Sequence, residues 1–167
     1  SGFTPSSGGA GAIITITGQN LRDANQVRFG NVPATSLSIV SATTIKATVT
    51  TGASGFVTVF TPNGKDSLPG FTFIPPPALT SFAPASATAG TTVILTGTNL
   101  TGATSVTFGG VSASYIVLSA TQIQATAPSG PSGNIVVTAP GGTASISGYS
   151  SLPSITSFTP IKGTHGT

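Results

Sequence analysis

The chain of 167 residues contains the same series of motifs twice, and this internal repeat limits what it can fold into. The motif Phe3-Thr4-Pro5 returns 79 residues later as Phe82-Ala83-Pro84. The motif Thr17-Gly18-Gln19-Asn20-Leu21 returns at the same displacement as Thr96-Gly97-Thr98-Asn99-Leu100, and after one deletion the displacement becomes 78. This period is too long for the repeats of solenoids or for single propeller blades. Each copy is therefore expected to fold as a small domain.

The repeat divides the chain into four segments, which set the predicted domain organisation. In chain order they are a first repeat with an incomplete first strand, a proline-rich linker, a second repeat and the opening strand of a third repeat, at residues 1–74, 75–78, 79–151 and 152–167. The last segment is assigned from Ile155-Thr156-Ser157-Phe158-Thr159-Pro160, which matches the opening of the second repeat. Pro75-Pro76-Pro77 predicts a stiff, extended connection.

Both repeats have the sequence pattern of short β-strands. Runs of β-branched residues such as Ile13–Thr17 and Ile135–Thr138 are separated by turn residues. In the run from Ile45 to Val49 the alternation places Ile45, Ala47 and Val49 on one face and Lys46 on the other. Hairpin turns are predicted at four dipeptides: Gly30-Asn31, Asn63-Gly64, Gly109-Gly110 and Gly141-Gly142. This spacing predicts an all-β chain of tandem antiparallel β-sandwiches with about seven short strands each.

The motifs resemble those of IPT/TIG domains, the immunoglobulin-like modules of plexins, some transcription factors and many bacterial surface proteins. The resemblance is carried by Leu79-Thr80-Ser81-Phe82-Ala83-Pro84, Gly90-Thr91-Thr92-Val93, Thr96-Gly97-Thr98-Asn99-Leu100, Val106-Thr107-Phe108-Gly109-Gly110-Val111 and Thr138-Ala139-Pro140-Gly141-Gly142. The first copy departs from the pattern at Asn31 and Asn63, where the second copy has glycine. The resemblance implies an immunoglobulin-like sandwich used as a spacer or binding module, and it implies no chemistry.

The composition argues against catalysis, metal binding and nucleic-acid binding. Charged residues make up 4% of the chain, there is no cysteine, and residues 79–151 contain no Lys, Arg, Asp, Glu or His. The two carboxylates, Asp23 and Asp66, and the single histidine, His165, do not form a catalytic or metal-ligand pattern. The five Lys and Arg residues are scattered along the chain, whereas nucleic-acid binding needs clustered cations. We therefore expect no enzyme activity, cofactor, metal, nucleic-acid partner or membrane span.

A few residues remain as candidates for modification or contact. Asn99-Leu100-Thr101 is an N-glycosylation sequon, and Asp66-Ser67-Leu68 resembles a short O-glycosylation pattern, so Asn99 and Ser67 are candidate glycosylation sites. Tyr115 and Tyr149 have no tyrosine counterpart in the first copy and are candidate surface contacts, although edge packing is an alternative. Phe29 and Phe108 are expected in the core. Asn20 and Asn99 are expected to cap a turn by bonding nearby main chain, after a bend at Gly18 or Gly97.

The uncharged surface points to a structural role. Edge strands normally carry charges that block association, so a Thr- and Val-rich domain without them is expected to carry glycans or to be covered by neighbouring repeats. The chain is thus interpreted as a non-enzymatic stalk, fibre or adhesin shaft of an extracellular cell-surface protein. The alternative is a carbohydrate- or surface-binding module that acts through loops at the sandwich ends. Residues 152–167 either belong to a longer array, which we favour, or complete the first domain of an identical chain by strand addition.

Overall fold

A computed structural model describes residues 1–52, 54–155, 157 and 159 of the chain. Its strands, in chain order, are β1 Gly2–Thr4, β2 Ser7–Gly8, β3 Ile13–Thr17, β4 Gln26–Phe29, β5 Val32–Pro33, β6 Ser36–Ser41, β7 Thr44–Thr48, β8 Gly55–Thr61, β9 Gly64–Phe73, β10 Ala78–Ala83, β11 Ser86–Ala87, β12 Thr92–Thr98, β13 Ser105–Phe108, β14 Val111–Ser112, β15 Tyr115–Ser119, β16 Gln122–Thr126, β17 Gly133–Ala139 and β18 Gly142–Ser151. A single 3-10 turn is found in the described part, at Leu21–Asp23. The predicted all-β class is confirmed, with seven strands of three or more residues per repeat in this part of the chain.

Each repeat is a sandwich of one four-stranded and one five-stranded sheet. In the first repeat the strand orders are β1-β3-β7-β6 and β2-β9-β8-β4-β5, and in the second they are β10-β12-β16-β15 and β11-β18-β17-β13-β14. The chain changes sheet near Pro5 and Pro84, so that β2 and β11 each pair in parallel with the last long strand of their repeat. All four predicted hairpins form, and two of them turn at the predicted dipeptides: Phe29 pairs with Val32 across Gly30-Asn31, and Phe108 pairs with Val111 across Gly109-Gly110. The other two turns lie one residue earlier than predicted, at Pro62-Asn63 and Pro140-Gly141, because Gly64 and Gly142 already pair in β9 and β18.

Alternation along the strands decides which side chains enter the two cores. Ile45 and Ala47 in β7 and Val49 just after it are at most 1% exposed, while Lys46 between them is exposed, as predicted. Phe29 and Phe108 are each 1% exposed, so both are core residues. Burying an aliphatic or aromatic side chain of this kind contributes about 1.5–3 kcal/mol, and this burial accounts for the position of the strands.

One boundary differs from the sequence prediction. Ala78, which was assigned to the linker, already pairs with Thr98, because the strand β10 begins at this residue. At the opposite end of the second repeat, β18 ends at Ser151. Most of the predicted strand at 152–167 lies outside the described residues, as does His165, and the described residues of this segment contain no strand.

Candidate functional site

The junction between the repeats is formed by the proline linker and a turn of the second repeat. The linker joins β9 to β10, and its last proline, Pro77, is buried. The side-chain amide nitrogen Nδ2 of Asn99 donates a hydrogen bond of 2.9 Å to the carbonyl oxygen of Pro76. Since proline has no N–H, its carbonyl is the only main-chain hydrogen-bonding group that the residue offers. The bond therefore ties the second repeat to the linker that precedes it.

The junction also contains close backbone contacts between the β17–β18 hairpin, the linker and the first repeat. A Cβ atom added at Gly141, in the β17–β18 hairpin, would overlap the carbonyl oxygen of Pro75 and would lie 3.0 Å from that of Ile74. A Cβ at Gly9, in the loop after β2, would lie 2.7 Å from the carbonyl oxygen of Gly141. Main chain of the first repeat, the linker and the second repeat thus meet with no room for a side chain. Sequence analysis assigned Gly141 to a hairpin turn only and missed this contact.

The two Asn residues of the repeated Thr-Gly-x-Asn-Leu motif act through their backbone rather than as side-chain caps. Asn20 has φ 57° and Asn99 has φ 56°, which is the left-handed region that Asn tolerates better than most residues. Asn20 forms no side-chain capping bond, and the Asn99 side chain bonds a residue 23 positions away. The expected local cap was therefore wrong. The conformation allows the next main-chain N–H, that of Leu21, to donate to the carbonyl oxygen of Ala42 in the turn between β6 and β7.

The glycine of the same motif also differs from its expected role. Gly97 was assigned to a bend, but it is not among the described residues with positive φ. A Cβ there would overlap the carbonyl oxygen of Ala78, opposite a bulge between Leu79 and Ser81 in β10. Gly97 therefore allows a close strand approach at the beginning of the second repeat.

Tyr149 is a core residue, which corrects its assignment as a surface contact. It is 3% exposed, and its ring packs edge-on against Phe108 with centroids 4.8 Å apart. Phe71 occupies the equivalent place in the first repeat, 4.7 Å from the ring of Phe29. Tyr115 is half-buried and donates a hydrogen bond of 2.9 Å to the carbonyl oxygen of Ala103. Its proposed role in surface contact stays a prediction.

The two candidate glycosylation sites lie on the surface. Ser67 is exposed, and its main-chain N–H donates a hydrogen bond of 2.8 Å to the carboxylate of the adjacent Asp66. Asn99 is also exposed, but a glycan would be attached to Nδ2, the atom that donates to Pro76. Modification of Asn99 would therefore act directly on the junction. Both sites remain predictions.

An apolar cleft opens into the core of the first repeat. Its volume is about 90 Å³, and it lies between Phe3 and Leu68 above the core residues Ile16, Leu21, Val57 and Val59. These four are 3–8% exposed, whereas each equivalent in the second repeat is 0% exposed; the equivalents are Leu95, Leu100, Ile135 and Val137. In the second repeat, Leu79 packs against this end of the core. Leu79 pairs with Gly97, the equivalent of the cleft-lining Gly18, so the cleft lies where Leu79 packs in the second repeat.

The described residues contain no group of three or more His, Cys, Asp or Glu side chains that could hold a metal ion. Asp23 lies in the 3-10 turn and Asp66 lies in β9. In the same part of the chain, no helix has the length and hydropathy needed to cross a membrane.

Together, the sandwiches and their junction define a protein built from serial immunoglobulin-like domains. The chain belongs to the IPT/TIG domain family, whose family model matches residues 1–73 and 77–152. A search of curated proteins found no match.

Several solved structures are similar to the chain. SGBP-B from a complex xyloglucan utilization locus in Bacteroides uniformis is 23% identical, with a TM-score of 0.45 over 86% of this chain and 46% of its own. The surface glycan-binding protein PbSGBP-B from Prevotella bryantii is 20% identical, with a TM-score of 0.40 over 84% of this chain and 36% of its own. The plexin A4 extracellular region is 22% identical, with a TM-score of 0.45 over 86% of this chain and 17% of its own. The chain thus spans less than half the length of each of these proteins.

Proposed function

We propose that the chain is a non-enzymatic structural segment of an extracellular, cell-surface protein, in which serial packing of IPT/TIG domains forms a stalk, fibre or adhesin shaft. The observation that carries this proposal is the junction, where Asn99 bonds Pro76 and Gly9 meets Gly141. A stalk must hold consecutive domains at a set angle, and these contacts restrict that angle. The partners of each repeat in this role are the neighbouring repeats of the same or an identical chain.

The uncharged edges of the sheets support association between such domains. The edge strand β15 exposes 63% of Ile116 and 52% of Leu118, and the corresponding strand β6 exposes 57% of Val40. Natural edge strands are usually protected by charges or proline, because unpaired strands readily pair with other chains. Neither β6 nor β15 contains a charged residue or a proline. Lateral or end-to-end contacts with identical domains would cover these side chains.

Binding of a carbohydrate through loops at the sandwich ends receives less support. That alternative requires aromatic side chains presented at one patch, and Tyr115 and Tyr149 were its candidates. Tyr149 is buried, and the hydroxyl of Tyr115 is bonded to Ala103. The structural role therefore accounts for more of the observed contacts.

Electron microscopy of the purified chain in negative stain, combined with sedimentation, tests the proposal. We expect particles in which two domains are joined at one angle, and at higher concentration ordered filaments whose axial repeat matches one or two domains. Dispersed particles with one fixed angle would support a stalk segment without self-assembly. A broad distribution of angles between the domains would overturn the structural proposal, because a flexible joint cannot transmit a set geometry.

A further inference from the structure

The outer surface of the five-stranded sheet in the first repeat carries a cluster of aromatic and cationic side chains. We call it the Phe60 face and define it by Gln26, Arg28, Phe56, Phe60 and Lys65. Pairing between strands brings these residues together: Phe60 in β8 pairs with Gln26 in β4 and with Lys65 in β9. Paired residues project from the same face of a sheet, and the buried neighbours of Phe60 show that this face points outward.

Both cations lie close to the ring of Phe60, and they come from β4 and β9, the two strands that flank β8. The Cζ atom of Arg28 is 5.3 Å from the ring centroid of Phe60, and the Nζ atom of Lys65 is 5.9 Å from it. Arg28 is held in place by a hydrogen bond of 3.1 Å from its Nε to the Oε1 atom of Gln26. This bond uses Nε and not the two Nη groups, whose fork geometry matches the two oxygens of a carboxylate.

No carboxylate of the first repeat neutralises this face. Asp66 pairs with the buried Val59 and therefore projects from the opposite side of the sheet, at the rim of the apolar cleft. Asp23 lies outside the sheet, in the 3-10 turn. The charge of the face is thus complementary to an anionic partner.

The cluster is specific to the first repeat and is not needed to build the sandwich. The equivalent positions of the second repeat pair in the same register, Ser105 with Thr138 and Thr138 with Thr143. Thr107 and Asn134 occupy the places of Arg28 and Phe56. A sheet of the same topology therefore forms without any of the aromatic or cationic side chains, which leaves them without a general structural role.

The aromatic rings indicate which anionic partner fits. Phe56 is 54% exposed, and it lies four residues from Phe60 on the same face of β8, so the Cα atoms of the two residues are about 13 Å apart along the strand. The exposed ring of Phe56 can stack against the apolar face of a sugar ring, while the half-buried ring of Phe60 lies beneath the two cations. Nucleic acid is a poorer fit, because binding it depends on neutralising several phosphates and the face carries only two cations.

We propose that the Phe60 face binds an acidic polysaccharide, with a sugar ring stacked on Phe56 and a uronate carboxylate held by Arg28 and Lys65, which Phe60 positions. This binding is independent of the stalk function proposed above, since it uses one outer sheet surface and not the junction. It also differs from loop-mediated recognition at the sandwich ends. Ser67, the candidate O-glycosylation site, pairs with Thr58 on this same face, so a glycan there would compete with the ligand.

Affinity electrophoresis and calorimetry with polygalacturonate test the proposal. Carboxyl-reduced polygalacturonate is the control polymer, because it has the same sugar backbone without the carboxylates. The double variant Arg28→Gln with Lys65→Gln removes the cations, and Phe60→Thr installs the residue of the second repeat. Lys46→Gln is the matched control, because Lys46 is an exposed cation on the other sheet. Circular dichroism of each variant establishes that the fold is retained.

We expect polygalacturonate to bind the chain and to bind at least tenfold more weakly to the double variant and to Phe60→Thr. Lys46→Gln should change the affinity by less than twofold, and the reduced polymer should bind at least tenfold more weakly than the acidic one. Equal weakening by Lys46→Gln would overturn the proposal, since it would show that net charge alone attracts the polymer. Equally tight binding of polyglutamate would overturn it as well, by showing that the rings do not select sugars.

Discussion

Asn99 reaches out of its own turn to bond the carbonyl oxygen of Pro76, whereas Asn20, in the same backbone conformation, forms no capping bond with its side chain. The two copies of one motif thus share a conformation and differ in what the side chain does. In the second repeat the amide holds the linker. This difference makes it possible to separate the backbone role of the residue from its role in the junction.

Replacing Asn99 by glycine keeps the left-handed conformation and removes the hydrogen bond. We expect Asn99→Gly to reduce the free energy of unfolding by about 0.5–1.5 kcal/mol relative to the matched control Asn20→Gly. Urea denaturation of both variants measures this difference. Equal effects of the two substitutions would show that the bond to Pro76 contributes nothing to stability.

A methyl group at Gly141 has no space at the junction, because it would overlap the carbonyl oxygen of Pro75. We expect Gly141→Ala to push the hairpin and the linker apart, which changes the angle between the repeats and costs about 1–3 kcal/mol. Small-angle X-ray scattering gives the change in shape, and denaturation gives the cost. The control is Asn63→Ala, at the exposed equivalent position in the first repeat, where both measurements should remain as in the unsubstituted chain.

Leu79 covers the end of the second core that is open in the first. Leu79→Ala is expected to destabilise the second repeat by about 2 kcal/mol, the low end for a leucine truncation, because the residue is only half-buried. Leu152→Ala removes an equally large side chain that is 45% exposed and should change stability by less than about 0.5 kcal/mol. Chemical denaturation compares the two, and similar losses would contradict the assignment of Leu79 to the core.

The hydroxyl of Tyr149 lies 3.5 Å from the carbonyl oxygen of Ala87, which is the limit of hydrogen-bonding distance. Tyr149→Phe restores the residue type of the first repeat and should alter the free energy of unfolding by less than about 0.5 kcal/mol. Tyr149→Ala removes the ring that packs on Phe108 and should cost about 3–5 kcal/mol. Thermal unfolding followed by circular dichroism measures both effects. A small effect of the alanine variant would contradict the assignment of Tyr149 to the core.

The fold could be predicted from the sequence because the two repeats show the same pattern of buried and turn residues at aligned positions. Alternation in the run from Ile45 to Val49 identified the buried face, and the paired glycine dipeptides identified the hairpins. The same comparison could have placed Tyr149 in the core, since a displacement of 78 aligns it with Phe71, an aromatic residue that its own repeat buries. Because the first repeat has no tyrosine at this position, Tyr149 was interpreted as a contact specific to the second repeat, although both repeats have an aromatic ring there.

The contacts between elements could not be predicted from the sequence. Gly141 has the sequence context of an ordinary hairpin, and only the position of the linker shows why glycine is required there. Arg28 and Lys65 appeared scattered because they are 37 positions apart, yet strand pairing places both beside Phe60. Such relationships depend on strand register across a sheet and on packing between repeats, which motif spacing within one copy does not encode.

The junction also has a mechanical consequence. Each sandwich is held by ladders of main-chain hydrogen bonds across two sheets, while the linker is joined to the second repeat by one exposed side-chain bond and a glycine contact. When the chain is pulled from its two ends, we expect the joint to open before either domain loses a strand, because fewer bonds hold it, and to close again when the load is removed. A series of such joints would lengthen in small reversible steps and protect the domains from unfolding.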